Sequence, residues 1–285
     1  MVRVPRDGLL INVEGVRLEN IDFVWDERTP AARQAEPPAI LVLEANRCEL
    51  RRCTFQVVTG QTAPTAIRWI GTSKRRSTDR DFRDIGELVL SNCHVRGLGS
   101  AIELRRSGTS SIDISNTLVG DCGALCRLHE FPRLGAAVSL LLEQVTLRDS
   151  GPVCAVRCDE SSVQPGQLIV RSGGSVLALR DGDPLLALES ALPANSLLAF
   201  IRWQGEGTLI LPDSILAAWQ RASGLTRSVD EDLLSAAGLI RGAIEFASDN
   251  PLASASSHAI SWQAPLRSTQ PPGILSGVPD LPLVP

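Results

Sequence analysis

Short runs of alternating apolar and polar residues recur along this chain, and one run shows the pattern most clearly. In Ser111–Val119, which reads Ser-Ile-Asp-Ile-Ser-Asn-Thr-Leu-Val, positions of inward type alternate with outward positions on both sides of Asn116; the inward positions are Ile112, Ile114, Thr117 and Val119. Such alternation predicts a β-strand with one buried face. Asparagine tolerates the left-handed backbone better than most residues, so each run predicts two strands that meet at a corner. Similar runs occupy Val16–Phe23, Cys48–Phe55, Leu88–Val95, Leu140–Leu147 and, in degenerate form, Leu168–Ser175.

The runs are spaced like the units of a solenoid. They begin at residues 16, 48, 88, 112, 140 and 168, and intervals of this size are typical of repeat architectures. In this alignment the corner column contains Asn20, Arg52, Asn92, Asn116, Gln144 and Ser172. A second motif, of the type Ala-Ile-x-Leu, supplies a third strand to each coil. It occurs at Ala39–Val42, Ala66–Trp69, Ala101–Leu104, Leu125–Leu128, Val153–Val156 and Val176–Leu179.

Stacking of equivalent strands determines the predicted architecture. Strands of successive coils would lie in parallel, about 4.8 Å apart, and parallel crossovers are almost always right-handed. The sequence therefore predicts an all-β fold, a right-handed parallel β-helix of about seven to nine coils.

These repeats resemble the right-handed parallel β-helix superfamily, which includes pectate-lyase-like enzymes and many uncharacterised bacterial repeats. The motifs Leu-x-x-Asn-x-(small apolar) and Ala-Ile-x-Leu carry the resemblance over roughly residues 8–210. In addition, Gly15–Trp25, Trp262–Leu266 and Pro271–Ile274 are similar to β-helix regions that follow protein-kinase domains in some long bacterial chains. The resemblance implies the fold, but it specifies the function poorly because function resides in sites rather than in folds.

The chain is predicted to have three parts. Residues 1–211 form the parallel β-helix. Residues 212–246 form a short helical cap on the solenoid, because Asp213 can cap one short helix and Ser228–Glu231 is a capping box that opens a second. Residues 247–285, which are rich in serine, proline and alanine, form an extended C-terminal tail.

Charge and cysteine content exclude several classes of partner. The net charge of −4 argues against nucleic acid and anionic membranes. The chain contains no apolar run long enough for a transmembrane helix and no signal-peptide pattern. Five of the seven cysteines fall at inward positions, where thiols act as small hydrophobic groups, so we expect free cysteines and neither a metal site nor a cofactor. These features favour the cytoplasm, unless the chain is a piece of a longer one.

The sequence contains no catalytic motif. A general acid and base need two carboxylates that face one bond, and the outward columns show no such pair on adjacent coils. We therefore expect a non-catalytic scaffold or binding domain, an accessory region of a larger bacterial protein. The alternative is a polysaccharide-acting, pectate-lyase-like enzyme that binds an acidic glycan on the outer face of the coils, an alternative based on fold analogy alone.

Basic residues on the outer side of the Ala-Ile-x-Leu strands form the one candidate site. Stacked coils would present them as a basic stripe that suits an acidic polysaccharide or an acidic protein surface. The stripe consists of Arg68, Arg105, Arg127, His129, Arg157 and Arg180. The simpler interpretation is a set of solvated side chains paired with acids in nearby turns. Those acids are Asp121, Glu130, Asp159 and Asp181. Oligomerisation is left open, since several outward positions are apolar.

Overall fold

The structure is a computed structural model in which short strands dominate. It describes residues 1–5, 8–26, 37–59, 63–71, 85–106, 108–158, 165–192, 194–220, 226–228, 236–248, 260–263 and 272–282. The first thirteen strands are β1 (Val2–Val4), β2 (Leu9–Ile11), β3 (Val16–Glu19), β4 (Asp22–Asp26), β5 (Ala39–Leu43), β6 (Arg47–Arg51), β7 (Thr54–Thr59), β8 (Thr65–Trp69), β9 (Gly86–Ser91), β10 (His94–Arg96), β11 (Ser100–Leu104), β12 (Ser110–Ser115) and β13 (Leu118–Gly120). The remaining elements are β14 (Cys126–Leu128), β15 (Ala137–Glu143), β16 (Thr146–Ser150), β17 (Cys154–Cys158), β18 (Gln167–Gly173), β19 (Val176–Leu179), β20 (Pro184–Ser190), helix α1 (Ala194–Leu198), β21 (Ile201–Ile210), β22 (Ile215–Gln220), β23 (Thr226–Ser228), β24 (Ala236–Arg241), β25 (Ala243–Phe246) and β26 (Ile260–Gln263).

The strands wind into a parallel β-helix with three faces, as predicted. Face 1 contains β3, β6, β9, β12, β15, β18 and the first half of β21. Face 2 contains β1, β4, β7, β10, β13, β16, β19 and the second half of β21. Face 3 contains β2, β5, β8, β11, β14, β17, β20 and β22, with β23 added antiparallel at its end. Because each strand pairs with the one a full turn later, the backbone hydrogen bonds run between coils.

The inward positions stack into columns of like side chains, which confirms the alignment of the first five repeats. One column on face 1 runs through Val16, Cys48, Leu88, Ile112 and Leu140 and continues to Val170 and Trp203. One column on face 2 runs through Phe23, Phe55, Val95, Val119, Leu147, Leu177 and Ile210. These side chains form part of a single apolar core along the axis of the solenoid.

The corner between faces 1 and 2 has the left-handed backbone that the asparagines predict. Positive φ angles of 41° to 57° occur at the corner residues of the first five coils, namely Asn20, Arg52, Asn92, Asn116 and Gln144. In the next coil Gly174 takes this position, with φ of 50°. The Asn116 amide also donates to Oδ1 of Asn92 on the preceding coil at 2.6 Å, so stacked amides contribute hydrogen bonds along the corner.

Two features of the sixth repeat differ from prediction. Leu168 pairs with Val138 rather than with Leu140, which moves the copy by two residues and places Ser172 before the corner instead of at it. Val176–Leu179 is β19 on face 2, and the corresponding strand of face 3 is β20. The sequence patterns alone do not distinguish these strands, because apolar residues also alternate on face 2.

The predicted helical cap over residues 212–246 is wrong wherever the structure describes that segment. It contains β22, which pairs with β20, and β24, which pairs with β21. The last strands of a solenoid expose unpaired backbone groups, whereas a short helix is marginal in water. These segments therefore form strands, which hydrogen-bond to the exposed edges of β20 and β21. Within the described residues the only α-helix is α1, and no helix is long and apolar enough to cross a membrane.

Candidate functional site

A groove on the outer side of face 3 has the size and shape of a binding site. Its volume is about 680 Å³, and it runs along the solenoid over strands β14, β17, β20 and β22. Three alanines form its floor, and we refer to it as the alanine groove. The lining includes Ala155, Ala187, Ala218, Arg127, Arg157, His129, Glu189, Gln220 and Asp183.

The groove exists because side-chain size changes along one outward column. Arg68, Glu103 and Arg127 are in register on successive coils, and the next positions of this column are Ala155, Ala187 and Ala218. Where the long side chains give way to methyl groups, a depression opens. Adjacent strands are about 4.8 Å apart, so the three alanines span about 10 Å along the axis.

Basic side chains line one end of the alanine groove. Arg127 lies in the floor column next to Ala155, and Arg157 follows His129 along the neighbouring outward column. All three side chains are exposed. Arg127 and His129 make no side-chain hydrogen bond or ion pair with any residue that the structure describes. This end of the groove therefore offers positive charge to a ligand.

Two arginines of the predicted stripe are already occupied by a buried carboxylate. Glu103 accepts a hydrogen bond from Arg68 Nε at 2.8 Å and lies 2.6 Å from the guanidinium of Arg105. Burial opposes the ionisation of Glu103, but the hydrogen bonds from both arginines outweigh it and hold the pKa of this carboxyl below its usual value of 4.5. Arg68 and Arg105 thus share one buried carboxylate, which neutralises one of their two positive charges.

Arg180 does not belong to the stripe. It follows β19 in the turn before β20, where its guanidinium lies 3.7 Å from both Asp121 and Asp183. The position after Arg157 in the outward column is Glu189 instead. The error comes from the misassigned face of β19. The predicted pairing of stripe residues with turn acids thus holds for Arg180 and Asp121. Asp159, another of the predicted partners, lies outside the described residues.

Sequence reasoning missed two acids of the alanine groove, one in β20 and one in the turn before it. Asp183 and Glu189 both line it, on the two sides of Ala187. They were not recognised as neighbours because the alignment placed no face 3 strand between residues 184 and 190. Glu189 is the register neighbour of Arg157 on the next strand, and Asp183 lies 3.7 Å from Arg180. Acidic and basic side chains therefore lie next to each other in the groove.

A second depression, on face 1, is less suited to a ligand. Its volume is about 450 Å³. The charged residues that line it pair with one another: Arg47 lies 2.6 Å from Glu87, and Arg17 lies 3.8 Å from Glu49. The alanine groove therefore remains the candidate site.

Comparison with known proteins found no matching protein family, no similar characterised protein and no similar solved structure. The geometry of the alanine groove is therefore the basis of the functional proposal.

Metal chemistry finds no support among the residues that the structure describes. They contain no group of three or more histidine, cysteine, aspartate or glutamate side chains arranged to hold an ion. All seven cysteines are free and buried. Cys126 and Cys154 stack in register inside face 3, and burial raises the pKa of the Cys126 thiol to about 12. A thiol in such surroundings stays protonated and acts as a core side chain.

Proposed function

We propose that this chain is a binding domain that holds a segment of an acidic polysaccharide in the alanine groove. The observation that carries the proposal is the alanine floor beside Arg127 and Arg157. A flexible chain of small units can lie along the floor, and its carboxylates can reach the two guanidinium groups. Carboxylate recognition is a typical use of arginine, because the guanidinium offers parallel N–H donors.

The shape of the groove favours a glycan over a folded protein partner. A volume of about 680 Å³ lies within the range of small-ligand sites. Protein interfaces are broader, because a stable one buries about 800 Å² on each partner. An oligosaccharide fits a narrow groove that extends over several coils. The groove therefore suits an acidic polysaccharide better than an acidic protein surface.

Charge substitutions test this function. In Arg127→Ser/Arg157→Ser, affinity for a short uronic-acid oligosaccharide should fall about a hundredfold, since each lost charged hydrogen bond weakens binding by about 1.5 kcal/mol. Binding to the unsubstituted chain should weaken as salt concentration rises. Isothermal titration calorimetry measures both effects.

The matched control removes the same charge from another face. Arg171 and Arg202 are exposed outward residues of face 1, so Arg171→Ser/Arg202→Ser should leave the affinity unchanged. Equal losses in both double variants would mean that attraction is a general effect of charge. An unchanged affinity in Arg127→Ser/Arg157→Ser would remove the site.

The two acids of the groove favour one second candidate function. Asp183 and Glu189 line the same groove as Arg157, which is the set of side-chain types expected of a polysaccharide-acting enzyme of the pectate-lyase-like group. Under this alternative the chain would shorten a uronic-acid polymer, and Glu189→Gln would abolish the shortening while oligosaccharide binding persists. A polymer of unchanged length after prolonged incubation with the unsubstituted chain would exclude this alternative for that substrate.

The setting of the domain is part of the proposal. We propose that it serves as an accessory region of a larger bacterial protein, in keeping with the resemblance of Gly15–Trp25 to β-helix regions that follow kinase domains. The gene product in its full length would test this: an adjoining kinase domain supports the accessory role, and a secretion signal supports the enzyme.

A further inference from the structure

An extended segment near the C-terminus lies across five coils and is held by hydrogen bonds at both ends and in the middle. We refer to residues 272–282 as the C-terminal strap. At one end the strap bonds to the sixth coil, where Gly273 N donates to Gly174 O at 2.7 Å. At the other end it reaches the second coil, where Gln56 Nε2 donates to Pro282 O at 2.9 Å. The strap therefore runs back along the axis of the solenoid.

The solenoid forms hydrogen bonds with the main chain of the strap at several positions. Asn116 forms a two-sided clamp: its Oδ1 accepts from Leu275 N at 2.6 Å, and its Nδ2 donates to Ser276 O at 3.0 Å. Ile274 N donates to Thr146 Oγ1 at 3.0 Å. Paired contacts of this kind fix the register of an extended peptide, as strand addition does at a sheet edge.

The outer side of face 2 is built to be covered. Five consecutive members of one outward column, both polar and apolar, are buried although they point away from the core. They are Thr54, His94, Leu118, Thr146 and Val176. Within this column His94 Nδ1 lies 3.2 Å from Pro279 O. The strap approaches so closely at Gly273 that a Cβ there would lie 2.8 Å from Thr146 Oγ1.

We propose that face 2 is a second binding surface, a peptide site, whose partner is the strap of a second copy of this chain. The site forms hydrogen bonds with backbone groups along the strap, so it can accept an identical segment from either copy. The sequence of the strap is the one that the structure shows to fit. Exchange of an identical element between copies needs no new contacts, and it is a low-cost route to a dimer. This proposal is independent of the alanine groove, which lies on face 3.

Complementary variants of the full chain test the exchange. Leu275→Pro removes the N–H that donates to Asn116 Oδ1 and leaves the clamp intact. Asn116→Gly removes the clamp, leaves the strap intact and suits the positive φ of that corner. Each variant alone should be a monomer of 30.5 kDa with a weakened strap. Their mixture should contain a species of twice that mass, because the intact strap of one copy can occupy the intact clamp of the other. Sedimentation velocity measures the masses.

A chain that carries both substitutions is the matched control and should stay monomeric in every mixture. A mixture of the two single variants that contains only monomers would overturn the proposal. If Asn116→Gly fails to fold, a labelled synthetic peptide of residues 272–282 replaces it and should bind to the Leu275→Pro chain. N-methylation of Leu275 in the peptide should then reduce binding at least tenfold, and N-methylation of Leu281 should not. Equal binding by the two methylated peptides, or no binding by the unmodified one, would also contradict it.

Discussion

Arg52 holds a backbone conformation that suits few side chains. Its φ of 50° lies in the left-handed region, which costs an ordinary residue about 1–2 kcal/mol and costs asparagine less. The side chain offsets part of this through an ion pair with Glu19 at 2.6 Å, but exposed pairs contribute about 0–1 kcal/mol. Arg52→Asn should therefore raise the free energy of unfolding by about 1 kcal/mol, as measured by chemical denaturation.

Its neighbour provides the control for this prediction. Arg51 lies in β6 with extended backbone and forms a comparable ion pair with Glu49 at 3.2 Å. Arg51→Asn should leave stability unchanged or lower it slightly, because asparagine is disfavoured in strands. Stabilisation by both substitutions, or by neither, would show that the corner backbone is not the cause.

Glu103 should make the stability of the chain depend on pH. Because its folded-state pKa is lowered from 4.5, the carboxylate stabilises the fold above that value, and the contribution disappears as pH falls through the lowered folded-state pKa. Glu103→Gln should cost about 3 kcal/mol at neutral pH, the usual cost of breaking a buried ion pair. It should also flatten the acid limb of a plot of unfolding free energy against pH. The control Glu189→Gln replaces an exposed carboxylate and should leave the free energy of unfolding at neutral pH nearly unchanged.

At the scale of elements, β22 distinguishes a strand from the predicted helix. Ala217 points inward and is 1% exposed, whereas its neighbour Ala218 points outward into the groove. Ala217→Asp should lower the free energy of unfolding by about 3 kcal/mol, since it buries an unpaired charge. Ala218→Asp should be tolerated. Similar losses at both positions in a thermal denaturation experiment would argue against the strand.

The repeats predict strands well where inward and outward residues contrast, and poorly where they do not. The runs that begin at Val16, Cys48, Leu88, Ile112 and Leu140 pair as their alternation requires. Near the C-terminal end the same residue pattern occurs in strands that belong to a different face or that pair with the open edge of the sheet. There the structure depends on the strand with which a segment pairs and not on the local pattern. The capping box at Ser228–Glu231 therefore predicted a helix that the described residues do not form.

At the scale of the whole molecule, the candidate site depends on register between distant residues. The basic stripe could be predicted in part, because Arg127, His129 and Arg157 lie on consecutive coils. The alanine floor could not be recognised, since a depression forms only where small side chains stack beside long ones. A shift in one coil was enough to hide Glu189 and to include Arg180, so the composition of the groove follows from the alignment of every coil.

The central claim is that an acidic oligosaccharide lies on the alanine floor, and filling that floor tests it most directly. Ala187 is the middle of the three floor residues and points away from the core, so Ala187→Phe should fill the groove without disturbing the solenoid. Calorimetric titration with the uronic-acid oligosaccharide should show at least a tenfold loss of affinity. Ser139→Phe, a comparable outward substitution on face 1, should show none. Undiminished binding by a folded Ala187→Phe chain would contradict the account.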